Sequence, residues 1–103
     1  FTLRKTGIKK TIQQTKNHLK GKQIYLTLDI DVVDPAYAPG TSTPEPFGFT
    51  PMDVLEIIEA FSPQLIGCDV VEVCPPYDQG QTAVLAAKLV QTFISGIWRN
   101  REA

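Results

Sequence analysis

Gln23-Ile24-Tyr25-Leu26-Thr27-Leu28-Asp29-Ile30-Asp31, residues 23–31, decide the fold. The run is rich in β-branched and aromatic side chains and apolar almost to its aspartates, the pattern of a strand buried on both faces. A second run, Leu65-Ile66-Gly67-Cys68-Asp69-Val70-Val71-Glu72-Val73-Cys74, has the same character and is closed by Pro75-Pro76. Between them lie a loop over 32–48, broken by Pro35, Pro39, Gly40, Pro44, Pro46 and Gly48, and a helix start at Thr50-Pro51-Met52-Asp53. Thr50 suits the N-cap, Pro51 the first helical position and Asp53 the capping-box carboxylate. Val54, Leu55, Ile57, Ile58 and Phe61 supply the buried face of this helix, and Ser62-Pro63 stops it. Before this unit, 7–20 reads as a surface helix with a narrow stripe of Ile8, Ile12 and Leu19, ended by Gly21. After it, Thr82 is expected to cap a largely buried helix reaching Trp98. Strand, helix, strand in this order predicts parallel pairing with a right-handed crossover in an α/β fold. The later two helices then cover one sheet face and leave much of the other bare.

Composition narrows the function. At 103 residues, 43% apolar and a formal net charge of -1, the chain is expected to be one small soluble domain or a slice of a larger one. No apolar run reaches the roughly 18 residues that span a bilayer, and Phe1-Thr2-Leu3-Arg4-Lys5 lacks a signal-peptide layout, so a cytoplasmic location without membrane partners is expected. A start on Phe1 rather than Met suggests a piece of a longer chain. Basic residues cluster only over 4–22, without interleaved aromatics, which argues against a nucleic-acid partner. Cys68 and Cys74 would stand about 20 Å apart along a strand, too far for a disulfide, and read as buried thiols in a reducing compartment.

Ligands of open α/β sheets bind beyond the carboxyl ends of the strands, and both strands here end in carboxylates. Alternation along a strand places Asp29 and Asp31 on one face with α-carbons about 7 Å apart, able to hold a hard cation such as magnesium or manganese. A loop cap plus an ion pair would account for the same DxD. Asp34, before Pro35, is expected to form a turn. Glu72 at the second strand end needs either a structural ion pair or a cationic ligand, and a guanidinium would suit it bidentately. Asp69 is expected to be buried with a backbone or lysine partner. The loop Ala38-Pro39-Gly40-Thr41-Ser42-Thr43-Pro44-Glu45-Pro46 offers hydroxyls beside the strand end or serves as a rigid lid, and it is no P-loop because no GK[ST] follows its glycine. His18, on the polar side of its helix, reads as solvated. No nucleophilic serine elbow or Cys-His pair is visible.

The string Leu28-Asp29-Ile30-Asp31-Val32-Val33-Asp34-Pro35-Ala36-Tyr37-Ala38-Pro39-Gly40-Thr41-Ser42-Thr43-Pro44 resembles the ureohydrolase signature of arginases and agmatinases, a strand ending DxDxxDP before a Pro-Gly-Thr loop. Asp69-Val70-Val71-Glu72-Val73-Cys74-Pro75-Pro76-Tyr77-Asp78 resembles the same family's DxxEVxPxxD segment. Together the matches cover residues 24–98. The resemblance implies a three-layer α/β/α fold around a parallel sheet, of which residues 1–103 are the C-terminal portion of a single domain. It implies two manganese ions per intact site, with Asp29 as the bridging ligand and Asp31 beside it, and a guanidinium received by Glu72 with Thr43 alongside. Activated water would attack the guanidinium carbon, releasing urea and an amine. The remaining ligands of such sites come from GGDHS-like and DAHxD-like segments, which this sequence lacks, so the 103 residues alone are expected to be inactive. Ala38-Pro39-Gly40 and the wording around Glu72 look more like agmatinases than arginases, although an arginase or another guanidino-acid hydrolase fits the same motifs. A homo-oligomer, trimer or hexamer, is implied as well. The chain departs from the pattern at Ser42, where a glycine is usual, and at Phe47. Two rival readings are a DxD phosphohydrolase, which would usually carry Gly-Thr where Val32-Val33 stands, and a non-catalytic fragment with a residual metal site.

Overall fold

Two strands, β1 (Ile24–Asp29) and β2 (Leu65–Val71), pair in parallel in the computed structural model, which describes residues 7–41 and 47–102. The register sets Tyr25 against Gly67, Thr27 against Asp69 and Asp29 against Val71. Three helices accompany them: α1 (Ile8–His18) before β1, α2 (Pro51–Phe61) between the strands and α3 (Gln81–Glu102) after β2. The pairing is the expected parallel one, and the start of α2 is the expected capping box. Thr50 Oγ1 accepts from the Asp53 amide at 3.1 Å and Asp53 Oδ2 accepts from the Thr50 amide at 3.0 Å, satisfying two donors that a helix start leaves open.

Val54 and Ile58 of α2, Leu89 and Phe93 of α3, and Leu65 of β2 form one core with Ile30 and Val33 of the first loop. Leu26, Leu28, Cys68 and Val70 pack onto it from the sheet. α1 lies on this same face, where Ile8 and Ile12 border an apolar cleft of about 370 Å³ with Leu26, Phe49, Ile57 and Phe61. Its stripe is half-buried rather than buried. The other face, carrying Tyr25, Thr27, Asp69 and Val71, has no helix over it among the described residues, as the crossover argument expects.

Among the boundaries that differ from expectation, three have a clear physical cause. β1 stops at Asp29, and Ile30–Val32 forms a 3-10 turn, because the Asp29 carboxylate caps that turn and fully buried Ile30 turns into the core. β2 stops at Val71, since Glu72 adopts φ 68, which no strand accommodates. α3 starts at Gln81 with Thr82 inside its first turn, where Asp78 Oδ2 accepts from the Thr82 amide, so Asp78 does the capping. α3 is also half as buried as its apolar sequence suggests: Phe93 is 0% exposed, yet Val84 is 70% and Trp98 62% exposed on the opposite side. Removing the Phe93 ring (Phe93→Ala) should cost about 3–5 kcal/mol. Val84→Ala should change stability by no more than about 0.5 kcal/mol. Urea denaturation of the two variants checks the contrast.

Candidate active site

Parallel register brings the two strand ends together. Glu72 follows Val71, the partner of Asp29, so the carboxylates of the first signature and of the second leave the sheet at one edge. Asp29 and Asp31 do not share a strand face, contrary to the alternation argument, because Asp31 belongs to the 3-10 turn. What relates them is a hydrogen bond: the Asp31 amide donates to Asp29 Oδ1 at 3.1 Å. Asp29 Oδ2 takes no hydrogen bond from the described residues, and the residue is half-buried. A free anionic oxygen beside a second aspartate suits a hard divalent cation. Among the described residues no three His, Cys, Asp or Glu side chains converge on a point that could hold a metal ion.

Glu72 is exposed, and among the described residues nothing hydrogen-bonds or ion-pairs with its carboxylate. A non-glycine residue at positive φ costs of order 1–2 kcal/mol, and such strain concentrates at functional positions. Thr43 lies outside the described residues. Thr41, two positions earlier, is 1% exposed and its Oγ1 is buried without a partner.

The loop after β1 is organised by Asp34, as a turn-former should be: Oδ1 accepts from Ala36 N at 2.9 Å and Oδ2 from Gly48 N at 3.2 Å. The loop then closes on α3. Gly40 N donates to Thr82 Oγ1 at 2.8 Å, and Thr82 Oγ1 donates to Asp78 Oδ2 at 2.5 Å. Gly40 O accepts from Cys74 N at 2.7 Å. Only glycine fits at 40, since a Cβ there would stand 2.5 Å from Asp78 Oδ2 and 2.9 Å from Thr82 Cβ. Sequence reading took Thr82 as the cap and met Asp78 as the last residue of the second motif. An aspartate shortly before a helix start, able to accept from the first free amides, was the available signal.

Among the described residues Asp69 finds neither a backbone nor a lysine partner. Its Oδ2 accepts from Tyr25 OH at 3.0 Å and lies 3.3 Å from Thr27 Oγ1, both across the sheet, while Oδ1 is buried and unpartnered. That hydrogen bond raises the Tyr25 phenol above its ordinary range. Burial first, then the Asp69 charge, raises the Cys68 thiol, which stays protonated as a small apolar residue should; both cysteines are free.

The geometry agrees with the comparisons to known proteins. The Arginase family profile matches residues 1–96, and the chain belongs to that family. It is 53% identical over 79 residues to the mitochondrial guanidino acid hydrolase of Homo sapiens, covering 75% of this chain and 22% of that protein. With the mitochondrial agmatinase of Gallus gallus it shares 55% identity over 69 residues, 65% of this chain and 20% of the relative. The agmatine ureohydrolase structure of Thermoplasma volcanium superposes with a TM-score of 0.83 at 46% identity, over 91% of this chain and 31% of that one. The fold is therefore arginase-like α/β, and the chain spans about a fifth of the length of these curated relatives. Family membership displaces the DxD phosphohydrolase reading. No helix among the described residues is long and apolar enough to cross a membrane.

The Asp78 carboxylate sits below the ordinary range, chiefly because Thr82 Oγ1 donates to its anion and next because the Gly80 amide does. A depressed carboxyl contributes stability above its unfolded value near 3.9, lost as pH falls through the lower folded value. Asp78→Asn should therefore lower the thermal midpoint at pH 6–7, and the gap to wild type should close as pH falls below about 4. Thermal melts of both proteins across that window check the sign.

Proposed function

We propose that the intact protein hydrolyses a guanidino compound to urea and an amine at a dinuclear manganese site, as part of a longer single domain. Asp29 and Asp31 would hold the ions from this chain, with Asp29 between them, and Glu72 with Thr43 would receive the guanidinium. Manganese, when bound, supplies activation of water for attack on the guanidinium carbon. Glu72 orients the substrate: its two oxygens accept parallel N–H bonds from one edge of the planar cation and fix the face that is attacked. Agmatine is the favoured substrate, as the Ala38-Pro39-Gly40 wording suggests, which places the enzyme in polyamine biosynthesis. A guanidino acid is the second reading, favoured by the 53% identity to the human guanidino acid hydrolase. The homo-oligomer, trimer or hexamer, belongs to the same proposal. A cytoplasmic location is proposed alongside a mitochondrial one, since the human and chicken relatives carry that compartment in their names.

Support comes chiefly from Glu72, an exposed carboxylate without a partner among the described residues, kept at φ 68 one residue beyond the partner of Asp29. In the intact enzyme Glu72→Gln should keep its manganese and lose about 100-fold or more in turnover, the scale of a charge-assisted bidentate pair. Glu72→Gly should leave stability unchanged or raise it by up to about 1 kcal/mol, because glycine tolerates this φ, while also losing turnover. Metal analysis, thermal melts and urea release on the same samples decide it; turnover near wild type in both variants would sink the assignment. The 103 residues alone should release no urea with manganese present, because two carboxylates do not complete the ligand set. Asp29→Asn in the intact enzyme should reduce the content of both ions and Asp31→Asn of one, as a neutral amide oxygen is a poor ligand for a hard cation. Wild-type metal content in both after identical dialysis would remove the DxD from the site.

A further inference from the structure

Two loops leave the paired strand ends, and a relay of hydrogen bonds outside the sheet joins them. Its one charged member is Asp78. The carboxylate is held from both sides, with Gly80 N donating to Oδ1 at 2.9 Å and Thr82 N to Oδ2 at 3.2 Å. Oδ2 also accepts the hydroxyl of Thr82 at 2.5 Å. A hydroxyl has one proton, and once Asp78 takes it the oxygen lone pairs are left for a donor elsewhere. That donor is Gly40 N at 2.8 Å. Thr82 is fully buried, so water cannot replace either partner. The next peptide unit of the same residue continues the relay, for Gly40 O accepts from Cys74 N, two residues beyond Glu72. Glu72 is held at an unfavourable φ, and its side chain takes no bond from the described residues, so the neighbouring backbone is what holds that conformation among them. Cys74 is where the first loop grips it.

We propose that Asp78, acting through the Thr82 hydroxyl, is a positioning residue that seats the Gly40 turn against Cys74 and thereby fixes the carboxylate of Glu72 for its guanidinium ligand. The inference rests on reading Glu72 as the substrate carboxylate. An anion is required at 78 because it can only accept, so it sets the direction of the Thr82 hydroxyl; an asparagine can also donate to that oxygen and compete with Gly40 N. Thr82→Val keeps the shape and removes the relay, and Thr82→Ser restores it.

In the intact, metal-loaded enzyme, Asp78→Asn and Thr82→Val should each raise KM for agmatine or a guanidino acid about tenfold, with a smaller change in kcat and unchanged metal content. Thr82→Ser should stay near wild type. Amide hydrogen exchange at Gly40 and Cys74 should quicken in the first two variants and not in the serine variant. Unchanged exchange at both amides would overturn the relay. Faster exchange with an unchanged KM would overturn the positioning role, as would equal KM increases in Thr82→Val and Thr82→Ser. If the intact protein released no urea from any guanidino compound, the function would fail by itself, and the exchange comparison would still decide whether Asp78 orders the two loops.

Discussion

Parallel pairing of β1 with β2 is the constraint on which the rest depends. Parallel strands end on the same side of a sheet, and here the register stops both within one residue of each other, at Asp29 and Val71. Everything chemical in the chain follows from that coincidence. Asp29 and Asp31 leave one strand end and Glu72 leaves the other. A slip of one residue in the register would turn Asp29 and Asp69 toward the apolar face, where an unpaired carboxylate suffers a heavy desolvation cost, so the core side chains enforce the alignment of the site.

The packing is one-sided. Helices α1, α2 and α3 share the face built on Leu26, Leu28, Cys68 and Val70. Over the other face Asp69 gathers the hydroxyls of Tyr25 and Thr27, but one of its oxygens stays buried and unpartnered. Tyr25, Ile66, Val84 and Trp98 leave apolar surface on both sides of the layer. A chain of this size that covers one sheet face buries a small core, and its stability rests on few side chains, Phe93 and Ile58 foremost.

Much of this was legible in the sequence, because it is written locally. The capping box needs only Thr50 and Asp53 three residues apart, and both strands declare themselves by β-branched runs. The candidate site was legible through two motifs, which point to Asp29, Asp31 and Glu72. What escaped is decided by interactions that local pattern does not encode. The strand ends moved because Asp29 bonds the Asp31 amide and because Glu72 turns to φ 68, conformations that propensity does not favour. Asp69 was given the wrong partners since Tyr25 and Thr27 lie 44 and 42 positions away in sequence. Thr82 looks like a cap by residue type, yet it lies inside the helix and its own amide donates to Asp78 Oδ2. The relay through Gly40 was invisible for the same reason, as its members come from two separate loops.

In the proposed function the strand-end carboxylates act on a cation and a guanidinium, and dependence on the cation is the most direct test. Urea release from agmatine or a guanidino acid by the intact protein should vanish on treatment with a chelator and return on adding manganese, with about two ions bound per chain when activity is restored. Urea release that survives complete removal of metal would contradict the account, because Asp29 and Asp31 would then have no part in the chemistry.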